Sequence, residues 1–142
     1  MRLFATTLCA LIAFTGAALC VGCGPNSDGS KLRELEQLQS TLPIFPSMIE
    51  TSVHRDSKGT LAGISKLYKC EARYDDVKRF YIAELRKGGW EYSDERSIRD
   101  WERDLGGRQL TFRKNEYKFS VTYAGENANY GWDYAIDIQW EK

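Results

Sequence analysis

Among 142 residues there is a single histidine, His54. A metal centre built from several histidines is therefore excluded. Net charge is missing as well, since 20 Lys and Arg stand against 20 Asp and Glu. A dedicated nucleic-acid binder usually carries a clear basic excess, so no nucleic-acid partner is expected. There is no Asp-x-Asp-x-Asp-Gly calcium loop. Gly88-Gly89 and Gly106-Gly107 lack the spacing and the following Lys-Ser/Thr of a phosphate loop, and read as turns. Internal repeats, low-complexity tracts and glycosylation acceptors are absent too. What is present is a hydrophobic fraction of 42% and an aromatic fraction of 13%, enough for one packed core.

The first 23 residues differ from the rest. Arg2 is the only charge before Asp28, and Leu3 to Val21 is an apolar run rich in small residues. A basic start, an apolar middle and a small-residue end describe a secretory signal. A membrane-spanning helix is the competing reading, because nineteen residues nearly suffice to cross hydrocarbon. Thr6, Thr7, Thr15 and Gly16 interrupt the run, and no basic cluster follows it, so a cleaved signal is favoured.

Cys20-Val21-Gly22-Cys23 closes this segment. It resembles the lipobox of bacterial lipoproteins: Val21, Gly22 and Cys23 match the last three positions, and Cys20 stands where the pattern has Leu. The resemblance implies a diacylglyceryl thioether on Cys23, cleavage before it, and membrane lipid as the partner of the acylated residue. The thiolate is the side chain nucleophilic enough for that transfer. Two or three acyl chains on one residue would make a lasting anchor, where one binds marginally. The resemblance implies a location at the cell membrane or outer membrane, facing the periplasm or exterior. Cleavage near Ala17-Ala18-Leu19 or Gly22 with release of a soluble protein is the plainer alternative.

If Cys9 and Cys20 leave with the signal and Cys23 is capped, Cys70 is the last thiol and no internal disulfide can form. Cys70 then reads as a small buried hydrophobe.

The chain divides into a signal at 1–22, a tether with a short helix at 23–42, and a globular domain at 43–142. Gly24 to Ser30 is turn-rich. Leu32, Leu35, Leu38 and Leu42 follow at helical spacing after the cap candidate Ser30, either packing on the domain or forming a semi-ordered spacer. Pro43 and Pro46 end that helix. Met48 to Arg55 and Leu61 to Tyr74 read as a hairpin, with Tyr68, Cys70, Ala72 and Tyr74 sharing a face. Asp75-Asp76 opens the main helix, whose stripe is Val77, Phe80, Tyr81 and Leu85. Between Glu91 and Leu105, Ile98, Trp101 and Leu105 fit a second short helix better than an irregular excursion. Strict alternation then marks three strands around Leu110–Phe112, Tyr117–Tyr123 and Trp132–Trp140. The fold class expected is α+β: an antiparallel sheet of about five strands, one main helix on one face, and one or two short helices beside it.

Catalytic constellations are weak. His54 and Cys70 would lie on neighbouring strands and are the pair an enzyme would use, but no third orienting group can be named. Asp133 and Asp137 are four residues apart on one strand, about 13 Å, too far for joint acid–base work. No catalytic residue, metal or cofactor is assigned. The aromatic surplus, including Tyr117, Phe119, Tyr123, Trp132, Tyr134 and Trp140, either forms the core or leaves a groove for a ligand or peptide. Tyr130 and Trp132 lie in a loop and are the candidate contact surface.

The reading is therefore a membrane-anchored extracytoplasmic lipoprotein whose domain binds or assembles at the envelope without catalysis, with an envelope protein as possible partner. A soluble exported binding module with an aromatic groove is the alternative, and an enzyme using His54 or Cys70 the second.

Overall fold

The computed structural model describes residues 27–101 and 103–141. Its elements are α1 (Ser27–Ser40), β1 (Ile49–Lys58), β2 (Leu61–Lys69), α2 (Tyr74–Lys87), β3 (Glu91–Asp100), β4 (Arg103–Lys114), β5 (Tyr117–Tyr123), a 3-10 turn (Ala128–Tyr130) and β6 (Tyr134–Glu141). The strands form one antiparallel sheet in the order β1-β2-β6-β5-β4-β3. The class is α+β as expected, with six strands rather than about five. The signal segment and Cys23 lie outside the described residues. None of the described helices is long and apolar enough to cross a membrane.

Alternation builds the inner face. Ile64 of β2 is opposite Ile138 of β6, which is opposite Phe119 of β5, which is opposite Phe112 of β4. All four side chains are buried. Two rows along, Tyr68, Tyr134 and Tyr123 are aligned in the same way. Both helices cover this face. The stripe of α2 buries Val77, Tyr81 and Leu85, and Tyr81 meets Phe119 with ring centroids 5.8 Å apart. Trp90 re-enters beside Phe119 at 5.8 Å, as its position after the glycine pair suggests. The rings of Tyr81, Trp90 and Phe119 thus pack together beneath α2. Acidic Asp75 and Asp76 begin α2 and basic Arg86 and Lys87 end it, which suits the helix dipole. The turn out of the helix uses Gly89 at φ +77°, a conformation glycine adopts without strain.

The leucine-spaced segment, which also reads as a partner or membrane-surface helix, packs on its own domain. Leu35 of α1 is completely buried, and Leu32, Leu38 and Leu42 flank the core. Lys31 lies over the ring of Trp140 at 5.0 Å and pairs with Glu34 at 2.9 Å and Glu116 at 3.2 Å.

Two expectations fail outright, and Gly106-Gly107, read as a turn, lies inside β4. The stretch from Glu91 to Leu105 is not helical: it forms β3 and opens β4, and this hairpin supplies the sixth strand. Two register shifts, at Tyr92/Asp94 and Ile98/Arg99, break the alternation that would have marked β3 as a strand. Trp101 is not a core residue but sits at the hairpin turn, 92% exposed, with φ +46°. The second failure is at the end of β2. That strand stops at Lys69, and Tyr74 is the first residue of α2. The backbone N–H of Cys70 donates to the Asp133 carboxylate at 2.9 Å instead of continuing the ladder, so the chain turns there.

The opposite face carries no helix among the described residues. Across its middle run His54, Ser65, Asp137, Ser120, Thr111 and Asp94, one from each strand. This is the polar face that alternation requires, exposed at its edges and with Thr111 and Ser120 buried at its middle. Burial among these neighbours pushes the Asp137 carboxyl above its ordinary range, against a hydrogen bond from Ser65 and the charge of Lys118.

Candidate functional site

The sheet has two dissimilar ends. One holds the turns at Gly59-Thr60 and Asn115-Glu116, where Lys31 of α1 is seated. The other holds the β3–β4 turn at Trp101, the loop from Ala124 to Asp133, and the start of α2. The candidate binding residues gather at this second end.

An open cleft of about 510 Å³ lies there, lined by Tyr74, Glu95, Gly106, Arg108 and Tyr123, with Arg73 and Asp75 at its mouth. Tyr74 and Tyr123 form a stacked wall, 5.5 Å between centroids and 23° between planes. Tyr123 in turn lies 5.1 Å from Tyr134, whose hydroxyl donates to the Ala72 carbonyl at 2.9 Å. Glu95 closes the side. It accepts hydrogen bonds from the Tyr74 hydroxyl at 2.8 Å, the Tyr92 hydroxyl at 3.4 Å and the Lys78 ammonium. The Lys78 bond is the main reason its carboxyl is held below the usual carboxylate range. Burial, with the Glu95 bond second, pushes the Tyr74 hydroxyl far above its ordinary value. Arg108 donates to the Gly107 carbonyl at 2.8 Å and lies 3.5 Å from Asp104. Asp104 is held ionised chiefly by the Gly106 N–H at 2.9 Å. Charge and proton are therefore firmly placed, and the cleft offers an aromatic wall, a guanidinium and hydrogen-bonding groups.

Glu95 reaches this position through a bulge. Tyr92 pairs with Phe112 and Glu95 with Leu110, so three steps on β3 match two on β4. Both side chains consequently share the inner face, and a stretch that reads as a short helix delivers a carboxylate to the cleft. The sequence carried no clear signal for this, nor for Arg108. Tyr123 was visible only as one inward position of an alternating strand.

Replacing Glu95 with Gln tests the cluster. The wild type should be more stable by on the order of 1 kcal/mol at neutral pH, because the charged acceptor is lost. A carboxylate with a lowered folded pKa contributes above its unfolded value, about 4.3, and loses that contribution as pH falls through the folded value. The difference between the two proteins in urea titrations should hence be flat from pH 7 to 5 and shrink below about 4.3. A difference that grows on acidification contradicts this account.

The sequence-based candidates fall in different places. His54 is exposed on the edge strand β1, opposite Ser65, with its Nε2 3.0 Å from the Ser52 hydroxyl. Cys70 lies beyond the other end of β2, buried, its Sγ 3.2 Å from the Ser47 hydroxyl. Five residue steps separate Ser65 from Cys70, about 17 Å, so His54 and Cys70 are not brought together. Cys70 borders a groove of about 530 Å³ with Ser47, Ile49, Lys69, Glu71 and Asp133. No group of three metal-ligating side chains occurs among the described residues. Tyr130 and Trp132 stack face to face, 5.0 Å apart and 8° between planes. Tyr130 is 38% exposed. Their loop is tied to the Trp101 hairpin, since Asn127 donates to Asp100 at 3.3 Å and the Glu126 N–H to the Leu105 carbonyl at 2.7 Å.

The model of the START domain-like family matches residues 50–131, more than half of the chain. The chain belongs to the START domain-like family. The match runs from β1 to the loop before β6, so it includes the cleft residues and excludes α1. A START-like domain suggests a ligand-binding module, a role compatible with a domain that binds without catalysis. No curated protein and no solved structure matches the chain.

Proposed function

We propose that the START-like domain is a non-catalytic binding module, moored to the cell membrane or outer membrane through acylated Cys23 and facing the periplasm or exterior. The observation that carries the binding role is the cleft with its Tyr74–Tyr123 wall, in which the Glu95 carboxylate already accepts from three donors. Such a site recognises a small polar or amphiphilic group by stacking and by the Arg108 guanidinium. Trp101, Tyr130 and Trp132 at the same end supply a contact surface for an envelope protein.

Native mass spectrometry of the protein from its own host should show a noncovalent adduct. Arg108→Ala should lose it and Arg33→Ala should keep it. Spectra without an adduct, or with one indifferent to Arg108, count against the cleft. The anchor support is the Val21-Gly22-Cys23 motif. Cys23→Ser should move the protein from the membrane fraction to the soluble fraction and remove the lipid mass. If the wild type is already soluble and unmodified, the released binding module is the correct reading.

A further inference from the structure

We propose that α1 is a rigid mount that sets which end of the sheet faces the anchoring bilayer, so that the cleft is open to the aqueous side. The proposal rests on the lipid anchor at Cys23 and extends it to geometry. Four residue steps separate Cys23 from Ser27, the first residue of α1, a reach of at most about 14 Å. α1 starts at Ser27, and from Lys31 onward it is packed on the folded body. Leu35 is fully buried, Lys31 is held between Glu34, Glu116 and the Trp140 ring, Glu34 accepts from the Tyr117 hydroxyl, and Glu36 accepts from Arg55 at 2.8 Å.

These contacts pin the first turns of α1 to the end of the sheet carrying the Gly59-Thr60 and Asn115-Glu116 turns. Trp101 lies beyond the other end of β4, and the cleft lies against that end of the strand at Gly106 and Arg108. Six residue steps from Lys114 back to Arg108 span about 20 Å, and eleven back to Arg103, beside Trp101, at most about 37 Å. The short reach holds the first end beside the bilayer, and the length of the sheet carries the second end away from it. A ligand or partner then arrives from the aqueous compartment rather than from the lipid that holds the anchor.

The test uses the full lipidated protein in phosphatidylethanolamine–phosphatidylglycerol vesicles bearing a headgroup-attached energy acceptor. A donor dye is placed at exposed Thr60→Cys or exposed Arg99→Cys, with Cys70 buried and unreactive to brief labelling. Transfer from Thr60→Cys should exceed that from Arg99→Cys by about twofold or more, given the strand length between them. Adding Lys31→Ala and Leu35→Ala, which free α1, should shrink that ratio. Equal transfer from vesicle-bound protein, or greater transfer from Arg99→Cys, overturns the mount while leaving the anchor intact. Protein that carries no lipid and does not stay with the vesicles overturns the anchor, and the mount with it.

Discussion

Gly125→Ala is expected to lower the unfolding midpoint by about 12 °C or more, a loss of about 3 kcal/mol. Gly125 has φ +68°, where a Cβ is strained by about 1–2 kcal/mol before any contact is counted. The contacts are worse than the strain. An added Cβ would stand 2.1 Å from the Leu105 carbonyl oxygen and 2.6 Å from the Gly107 nitrogen. Both are backbone atoms of β4 and cannot rotate aside. The Leu105 carbonyl also accepts the Glu126 N–H, and the adjoining Asn127 bond holds the loop to Asp100. Relief of the clash therefore pulls the loop off the Trp101 hairpin and opens the end of the sheet that carries the cleft. Gly29→Ala is the control. It lies in α1 with nothing within 4 Å of an added Cβ, and should stabilise by up to about 1 kcal/mol through helix propensity. Differential scanning calorimetry on both variants decides the matter, and a Gly125→Ala midpoint equal to wild type refutes the packing described.

Phe119→Ala should cost about 3–5 kcal/mol, the range for removing a fully buried aromatic ring. Phe119 is the meeting point of the core. Its ring lies 5.8 Å from Tyr81 of α2, 5.8 Å from Trp90 and 6.2 Å from Phe112 of β4, and it stands opposite Ile138 of β6. Neighbours held by three different elements cannot all close the void, so the cavity contribution stays near its upper value. Phe119→Leu keeps most of the volume and should cost less than half as much. Equal losses from both variants, measured by urea unfolding, would mean that shape at this position does not matter and that the core is not jointly packed as described.

The two halves of the chain were unequally readable. In β5 and β6 every inward position alternates with an outward one, and the α2 stripe recurs at helical spacing, so their type and buried face follow from local order alone. Cys70 was likewise readable as a buried hydrophobe. The β3–β4 hairpin was not. Its two register shifts scramble the alternation, and Ile98, Trp101 and Leu105 happen to fall at a spacing that also suits a helix. The candidate site suffered more than the fold. Tyr130 and Trp132 stand at the end of the sheet where the cleft lies, but the cleft is made by Tyr74, Glu95, Arg108 and Tyr123, drawn from four elements.

By itself the sequence determined the α+β class, the main helix, the central strands and which side chains turn inward, because residue spacing along a strand or helix dictates the side on which each group lies. Tertiary structure alone decided the sixth strand, the seating of α1 and the cleft, because a bulge is set by the partner strand and a pocket exists only where separate elements stop short of filling the space between them.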